Sequence, residues 1–141
     1  MKPVVLFVDD EASVLEGFAR VLRGSPFEVL TTTSTDRAMQ ILATTAVQVV
    51  VSDERMPGMS GTEFLRGVRR RYPGVVRIAL TGESDIARTT RLIEEGELYR
   101  FLVKPIGRAE LLRTLERAVG VRQVAEEADR IRHAVAEKPL P

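Results

Sequence analysis

The sequence predicts an α/β chain: a doubly wound, five-stranded parallel sheet with helices on both faces and an extended C-terminal helix. Three observations predict it. Apolar, β-branched runs alternate with helical patterns five times, the signature of strand–helix–strand units. The run Val47–Val51 is too uniformly apolar for a half-exposed strand, as expected of a central strand covered on both sides. Polar residues recur just after four of these runs: Asp9-Asp10 after VVLFV, Asp53 after VQVVVS, Thr81 after VVRIAL and Lys104-Pro105 after YRFLV.

The elements follow in order. Val4–Val8 reads as the first strand, followed by a helix over Ala12–Arg23 that Gly24 stops. Val14, Phe18, Val21 and Leu22 form its expected buried stripe. Phe27–Thr31 is the second strand, and Ser34/Thr35 caps a helix burying Ala38, Ile41 and Leu42. After the third strand, Ser60 opens a helix that buries Phe64, Leu65 and Val68, with Glu63 placed to complete a capping box. Val76–Leu80 is the fourth strand, and Asp85–Glu95 the fourth helix, ended by Gly96. Tyr99–Val103 is the fifth strand. The last helix starts near Arg108 and docks through Leu111, Leu112, Leu115 and Val119. Beyond Gly120, the apolar stripe Val121, Val124, Ala128, Ile131 and Val135 has heptad spacing. It covers about two heptads, short of a sustained coiled coil. EKPLP reads as a helix stop and linker remnant.

Bulk properties narrow the function. A chain of 141 residues suits one well-buried domain with a short appendage. Lys+Arg 21 against Asp+Glu 20 gives a net charge of +1, so no global field favours nucleic acid or membrane as a direct partner. The run Arg69, Arg70, Arg71 complements the dipole at a helix end. The lone His133 has no catalytic context. Zero cysteines exclude disulfides and thiolate metal sites and fit a reducing, cytoplasmic setting. The N-terminal apolar stretch is too short for a signal peptide or a membrane span.

Parallel α/β sheets bind ligands beyond the carboxyl ends of their strands, and Asp9, Asp10, Asp53, Thr81 and Lys104 all fall at that rim. Carboxylates about 4 Å apart repel by roughly 4 kcal/mol per pair at an effective dielectric of about 20. A hard cation such as Mg²⁺ (or Mn²⁺) removes that cost. The cation, the Lys104 ammonium and the Thr81 hydroxyl are together suited to phosphoryl oxygens, and aspartate can form an aspartyl phosphate. Asp53 stands alone at its strand end and is the expected nucleophile. Taken singly, Asp9 and Asp10 could merely cap a helix, and Asp53 could open a turn before Pro57-Gly58. Their conjunction at one edge favours a shared site.

The stretches LFVDDE, VVSDERMPGMSGTEFL, IALTGE and YRFLVKP resemble the receiver domain of two-component response regulators, over residues 2–119. The resemblance implies a flavodoxin-like sheet of order 2-1-3-4-5 and a 120–141 extension. It implies that Asp53 accepts a phosphoryl group from a sensor histidine kinase or phosphotransfer protein. The chain is then a regulatory phospho-acceptor that assists its own phosphorylation and dephosphorylation, not an enzyme acting on other substrates. It further implies that Asp10 and Asp53 hold the metal directly, Asp9 through water, and Arg55 through its backbone carbonyl. Thr81 and Lys104 would contact the phosphoryl group, with Thr81 and Phe101 as switch residues altering the face of helix four, strand five and helix five. A cis Lys104-Pro105 bond is also expected.

Two departures suggest modulators: Arg55 and Glu83, placed to pair across the pocket mouth and restrict hydrolytic water. Gly107 stands where a capping Asp would be usual, with no functional account. Local motifs look most like receivers linked to HD-GYP and cyclic-di-GMP signalling regulators. The 120–141 stripe suggests the N-terminal part of a longer regulator with a fused or separate effector; a single-domain receiver and a phosphorylation-independent interaction module are the other readings. A homodimer could use this stripe, or the face carrying Arg91, Glu94, Arg113 and Glu116. A haloacid-dehalogenase-type phosphatase would need a general acid where Arg55 stands, and lacks support.

Overall fold

The computed structural model describes residues 2–56 and 58–137. Its strands are β1 (Val4–Val8), β2 (Glu28–Thr32), β3 (Val49–Asp53), β4 (Val76–Thr81) and β5 (Arg100–Val103). All pair in parallel, in the order β2-β1-β3-β4-β5. The helices are α1 (Ala12–Val21), α2 (Thr35–Thr44), α3 (Gly61–Arg71), α4 (Ile86–Glu94) and α5 (Arg108–Glu137), with a 3-10 turn at Glu83–Asp85 before α4. The expected doubly wound fold is therefore present.

Alternation along β1 shows how both faces are filled. Val4, Leu6 and Val8 join Ala38, Ile41, Leu42, Phe64, Leu65, Val68 and Leu92 under α2, α3 and α4. Val5 and Phe7 point the other way and join Leu15, Leu22, Leu111 and Leu115 under α1 and α5. Each fully buried Leu or Phe contributes about 1.5–3 kcal/mol of transfer free energy, so both layers are needed.

Three local expectations change. The α1 stripe is centred on Leu15, Phe18 and Leu22, not on Val14 and Val21. Leu15 and Leu22 are buried and Phe18 stacks on Phe7 at 4.8 Å, whereas Val21 is 37% exposed. The helix also stops at Val21 rather than Arg23, ahead of Gly24 in the left-handed region at φ 81°. The third strand starts two residues later than expected, at Val49, where its pairing with β1 begins as Val5↔Val49; just before it, Gln48 N donates to Val4 O. This shift has a consequence at the site: Ser52 and Asp53 lie inside the β3 ladder, with Asp53 opposite Leu80.

Helix starts follow side-chain capping. Ser34 Oγ accepts from Arg37 N and Ser60 Oγ from Glu63 N, each at 3.1 Å. The reciprocal Glu63 bond of a capping box is absent among the described residues. Instead Glu63 is exposed. The sidechain-free Gly107 precedes α5, where its carbonyl accepts from Leu111 N at 3.0 Å. α5 continues unbroken through Gly120. Leu111, Leu115 and Ala118 anchor its first part, while Val124, Ile131 and Val135 are 71%, 57% and 66% exposed. Pro57 and the EKPLP segment from Lys138 onward lie outside the described residues.

Candidate functional site

The carboxyl ends of β1, β3, β4 and β5 bring Asp9, Asp10, Asp53, Thr81 and Lys104 to one rim, as the strand-end positions predict. One carboxylate oxygen from each of Asp9, Asp10 and Asp53 lies within 4.8 Å of the others. Asp9 and Asp53 are buried, and Asp10 is exposed at the mouth. Lys104 Nζ lies 2.7 Å from Asp53 Oδ1 and 3.6 Å from Asp9 Oδ2. The Lys104-Pro105 bond is cis.

Asp9 Oδ1 accepts from the Glu11 amide at 2.9 Å, while its buried Oδ2 has no hydrogen-bond partner. Burial raises the Asp9 carboxyl above its ordinary pKa, against the pull of the Glu11 amide and with added repulsion from Asp53. Burial alone would lower the Lys104 ammonium. Its bond to Asp53 and the charge of Asp9 reverse this and hold it above its usual value. A buried carboxylate oxygen that accepts no hydrogen bond, beside two more acids, is part of a donor set suited to a hard divalent cation. One lysine cannot balance three carboxylates.

Thr81 is buried and lies within β4, opposite Val103. Its hydroxyl is 3.3 Å from Thr89 Oγ1 of α4. Thr89 in turn donates to the Asp85 carbonyl at 2.8 Å. Phe101 pairs across from Ala79 in the ladder and is half-buried against the α2–α4 side of the sheet. Thr81 follows Ala79 by two residues, so Thr81 and Phe101 share the face that α4 covers.

The expected Arg55–Glu83 pair does not form. Arg55 Nε and Nη2 donate to Asp85 Oδ2 and Oδ1 at 2.9 and 3.2 Å, and Nη2 reaches Ser84 Oγ at 3.5 Å. The 3-10 turn starting at Glu83 brings Asp85 toward Arg55, while Glu83 stays exposed with no ion pair among the described residues. The hydrogen bond from Arg55 lowers the Asp85 carboxyl, and Asp85 raises Arg55.

Sequence reasoning assigned no side-chain role to Glu54, Thr62, Asp85, Arg88 or Thr89. Glu54 is 2% exposed; its Oε1 accepts from Thr62 Oγ1 and pairs with Arg88 Nη2 at 3.0 Å. The only signal available was an acid directly after the expected nucleophile, and nothing in the chain announces a partner on α4. Gly61 N donates to the Glu54 carbonyl at 3.0 Å, where α3 starts beneath the β3 end. Asp10, Asp53, Arg55, Gly82, Asp85 and Lys104 help line an open cavity of about 350 Å³.

A family model described as the response regulator receiver domain matches residues 5–116. The hydrogenase transcriptional regulatory protein HoxA of Cupriavidus necator is 38% identical over 115 residues, covering 82% of this chain and 24% of the relative. The chain thus spans about a quarter of that relative's length. A solved signal receiver domain of an HD domain-containing protein from Pseudomonas fluorescens superposes with a TM-score of 0.82 at 32% identity, over 89% of this chain and 93% of that one. An adenylate cyclase structure from Rhodopirellula baltica gives a TM-score of 0.89 at 27% identity, over 98% of this chain and 100% of that one. No described helix is long and apolar enough to cross a membrane. The match over residues 5–116, on a sheet of order 2-1-3-4-5 with its acids and lysine at one rim, places this chain in the response regulator receiver domain family.

Proposed function

We propose that the chain is a phosphorylation-dependent switch in which Asp53 is the phospho-acceptor. The observation that carries this reading is the Lys104 ammonium held between Asp53 and Asp9, with three carboxylates converging on one rim. An Asp53 oxygen attacks the phosphorus of a partner's phosphohistidine, the P–N bond breaks, and the imidazole leaves to take up a proton. Mg²⁺ (or Mn²⁺) would supply neutralisation of the charge on the transferring group. Asp10 and Asp53 are suited to hold it directly, Asp9 through water, and the Arg55 carbonyl as a further donor. Lys104 and Thr81 take the phosphoryl oxygens.

Drawing Thr81 toward the phosphoryl group removes its hydroxyl from Thr89 and opens space on the face that Phe101 shares. The α4–β5–α5 surface then shifts between two populations. Addition of beryllofluoride with Mg²⁺ tests this through amide-exchange mapping: altered exchange in α4 and β5 is expected, and unchanged exchange there contradicts it.

We assign residues 2–119 to the switch and 120–141 to a connecting extension. The exposed Val124, Ile131 and Val135 support an extension that pairs with a second copy or leads into an effector, measurable by light scattering. HoxA is described as a transcriptional regulatory protein, and the Pseudomonas neighbour belongs to an HD domain-containing protein. The HD-GYP type of output rests on the local motifs alone. A histidine kinase or phosphotransfer protein in the cytoplasm is the expected donor.

A further inference from the structure

Glu54 and Arg55 directly follow Asp53, and their side chains cross to the start of α4 with opposite charge. Arg55 grips Asp85 through two donors, while Arg88 meets Glu54. The two pairs differ in kind. Glu54 is buried beside Thr62 and already has one oxygen without a partner, so losing Arg88 would strand a buried charge. The Arg55 side chain is 74% exposed against 15% for Asp85, so the cation is the free end of this pair, and a pair with an exposed partner is weaker and more easily exchanged. Glu54–Arg88 is the fixed tie between this loop and α4. Arg55–Asp85 is the movable one.

Asp85 occupies the N-cap position of α4, its side chain makes no capping bond, and its carboxylate is engaged by Arg55. Arg55 makes no ion pair with Asp53, although both line the same cavity. We propose that Arg55 is a further phosphoryl-binding residue held in reserve by Asp85. When Asp53 carries a phosphoryl group, the guanidinium leaves Asp85 for the phosphoryl oxygens and frees Asp85 at the first turn of α4.

The chemistry favours this exchange. A guanidinium presents the same forked donors to carboxylate and to phosphoryl oxygens, and the phosphoryl group is close to a dianion. Its two negative charges and those of Asp9 and Asp10 exceed by one the positive charge of Lys104 and a divalent cation. Arg55 closes that gap. The released Asp85 then becomes available to the α4 amides that an N-cap aspartate serves. Phosphorylation would thereby reach α4 by a route separate from Thr81 and Phe101.

This inference rests on Asp53 being the acceptor, and titration of the full chain with beryllofluoride and Mg²⁺ in a calorimeter separates the two. Competition for Arg55 predicts opposite signs. Asp85→Asn binds the probe about fivefold to tenfold tighter, and Arg55→Ala about fivefold to tenfold weaker, the low end of ordinary coupling between sites. The double variant behaves like Arg55→Ala. An Arg55→Ala variant that binds as well as wild type, or better, overturns the proposal, because the pair would then be only a brake on α4. An Asp85→Asn variant with unchanged or weaker affinity overturns it too. Wild type failing to bind the probe overturns the acceptor reading itself, and this inference with it.

Discussion

Lys104 Nζ stands 2.7 Å from Asp53 Oδ1. The same ammonium lies 3.6 Å from the buried Asp9 Oδ2, so one cation bridges acids from two strands. It serves the resting fold and the proposed chemistry at once, and these roles respond differently to its loss.

Lys104→Ala should destabilise the metal-free protein by about 1–3 kcal/mol, because it leaves nearly buried carboxylates unpaired. It should also tighten Mg²⁺ binding severalfold, since a competing positive charge is gone. Urea unfolding with and without Mg²⁺ checks both: a variant as stable as wild type in metal-free buffer contradicts the structural half, and one with unchanged Mg²⁺ affinity contradicts the other.

Asp9→Asn should act in the reverse sense on stability. The Asp9 carboxyl is raised by burial, so its contribution to stability is fully present below the ordinary value of 3.8 and is lost as pH rises through the raised folded value. In metal-free buffer the variant and wild type should nearly coincide at pH below 3.8, and the variant should become more stable by about 0.5–2 kcal/mol at neutral pH. Mg²⁺ affinity should fall. Thermal melts across pH decide it, and a variant less stable at neutral pH would show that the Lys104 contact outweighs the burial of Asp9.

Gly61→Ala tests how the acceptor is positioned. A Cβ there would run into the Asp53 carbonyl oxygen and come within 2.9 Å of Glu54 Cα. Both are backbone atoms that cannot swing aside. A loss of about 2 kcal/mol or more is expected, together with weaker beryllofluoride binding as the end of β3 shifts. Wild-type stability would show that α3 yields instead.

The fold was legible because each strand is an apolar run followed by a polar residue, and parallel order makes those ends one rim. Asp9, Asp10, Asp53, Thr81 and Lys104 could be placed together on that logic alone. Helix faces were less secure. Val14, Val21 and Leu15 are all apolar in α1, and only packing against Phe7 selects Leu15 with Phe18 and Leu22. Charge pairing across long separations was not legible. Arg55 had acids at both Glu83 and Asp85 within reach in sequence, and the 3-10 turn selects Asp85. Glu54 carries no signal of burial in the sequence, and Arg88 and Thr62 meet its carboxylate only in the fold.

The central claim, that Asp53 takes the phosphoryl group, is tested most directly by intact mass after exposure to acetyl phosphate and Mg²⁺. Wild type should gain the mass of one phosphoryl group, and Asp53→Asn should gain none under the same conditions. Equal labelling of the two proteins would place the acceptor elsewhere and contradict this account.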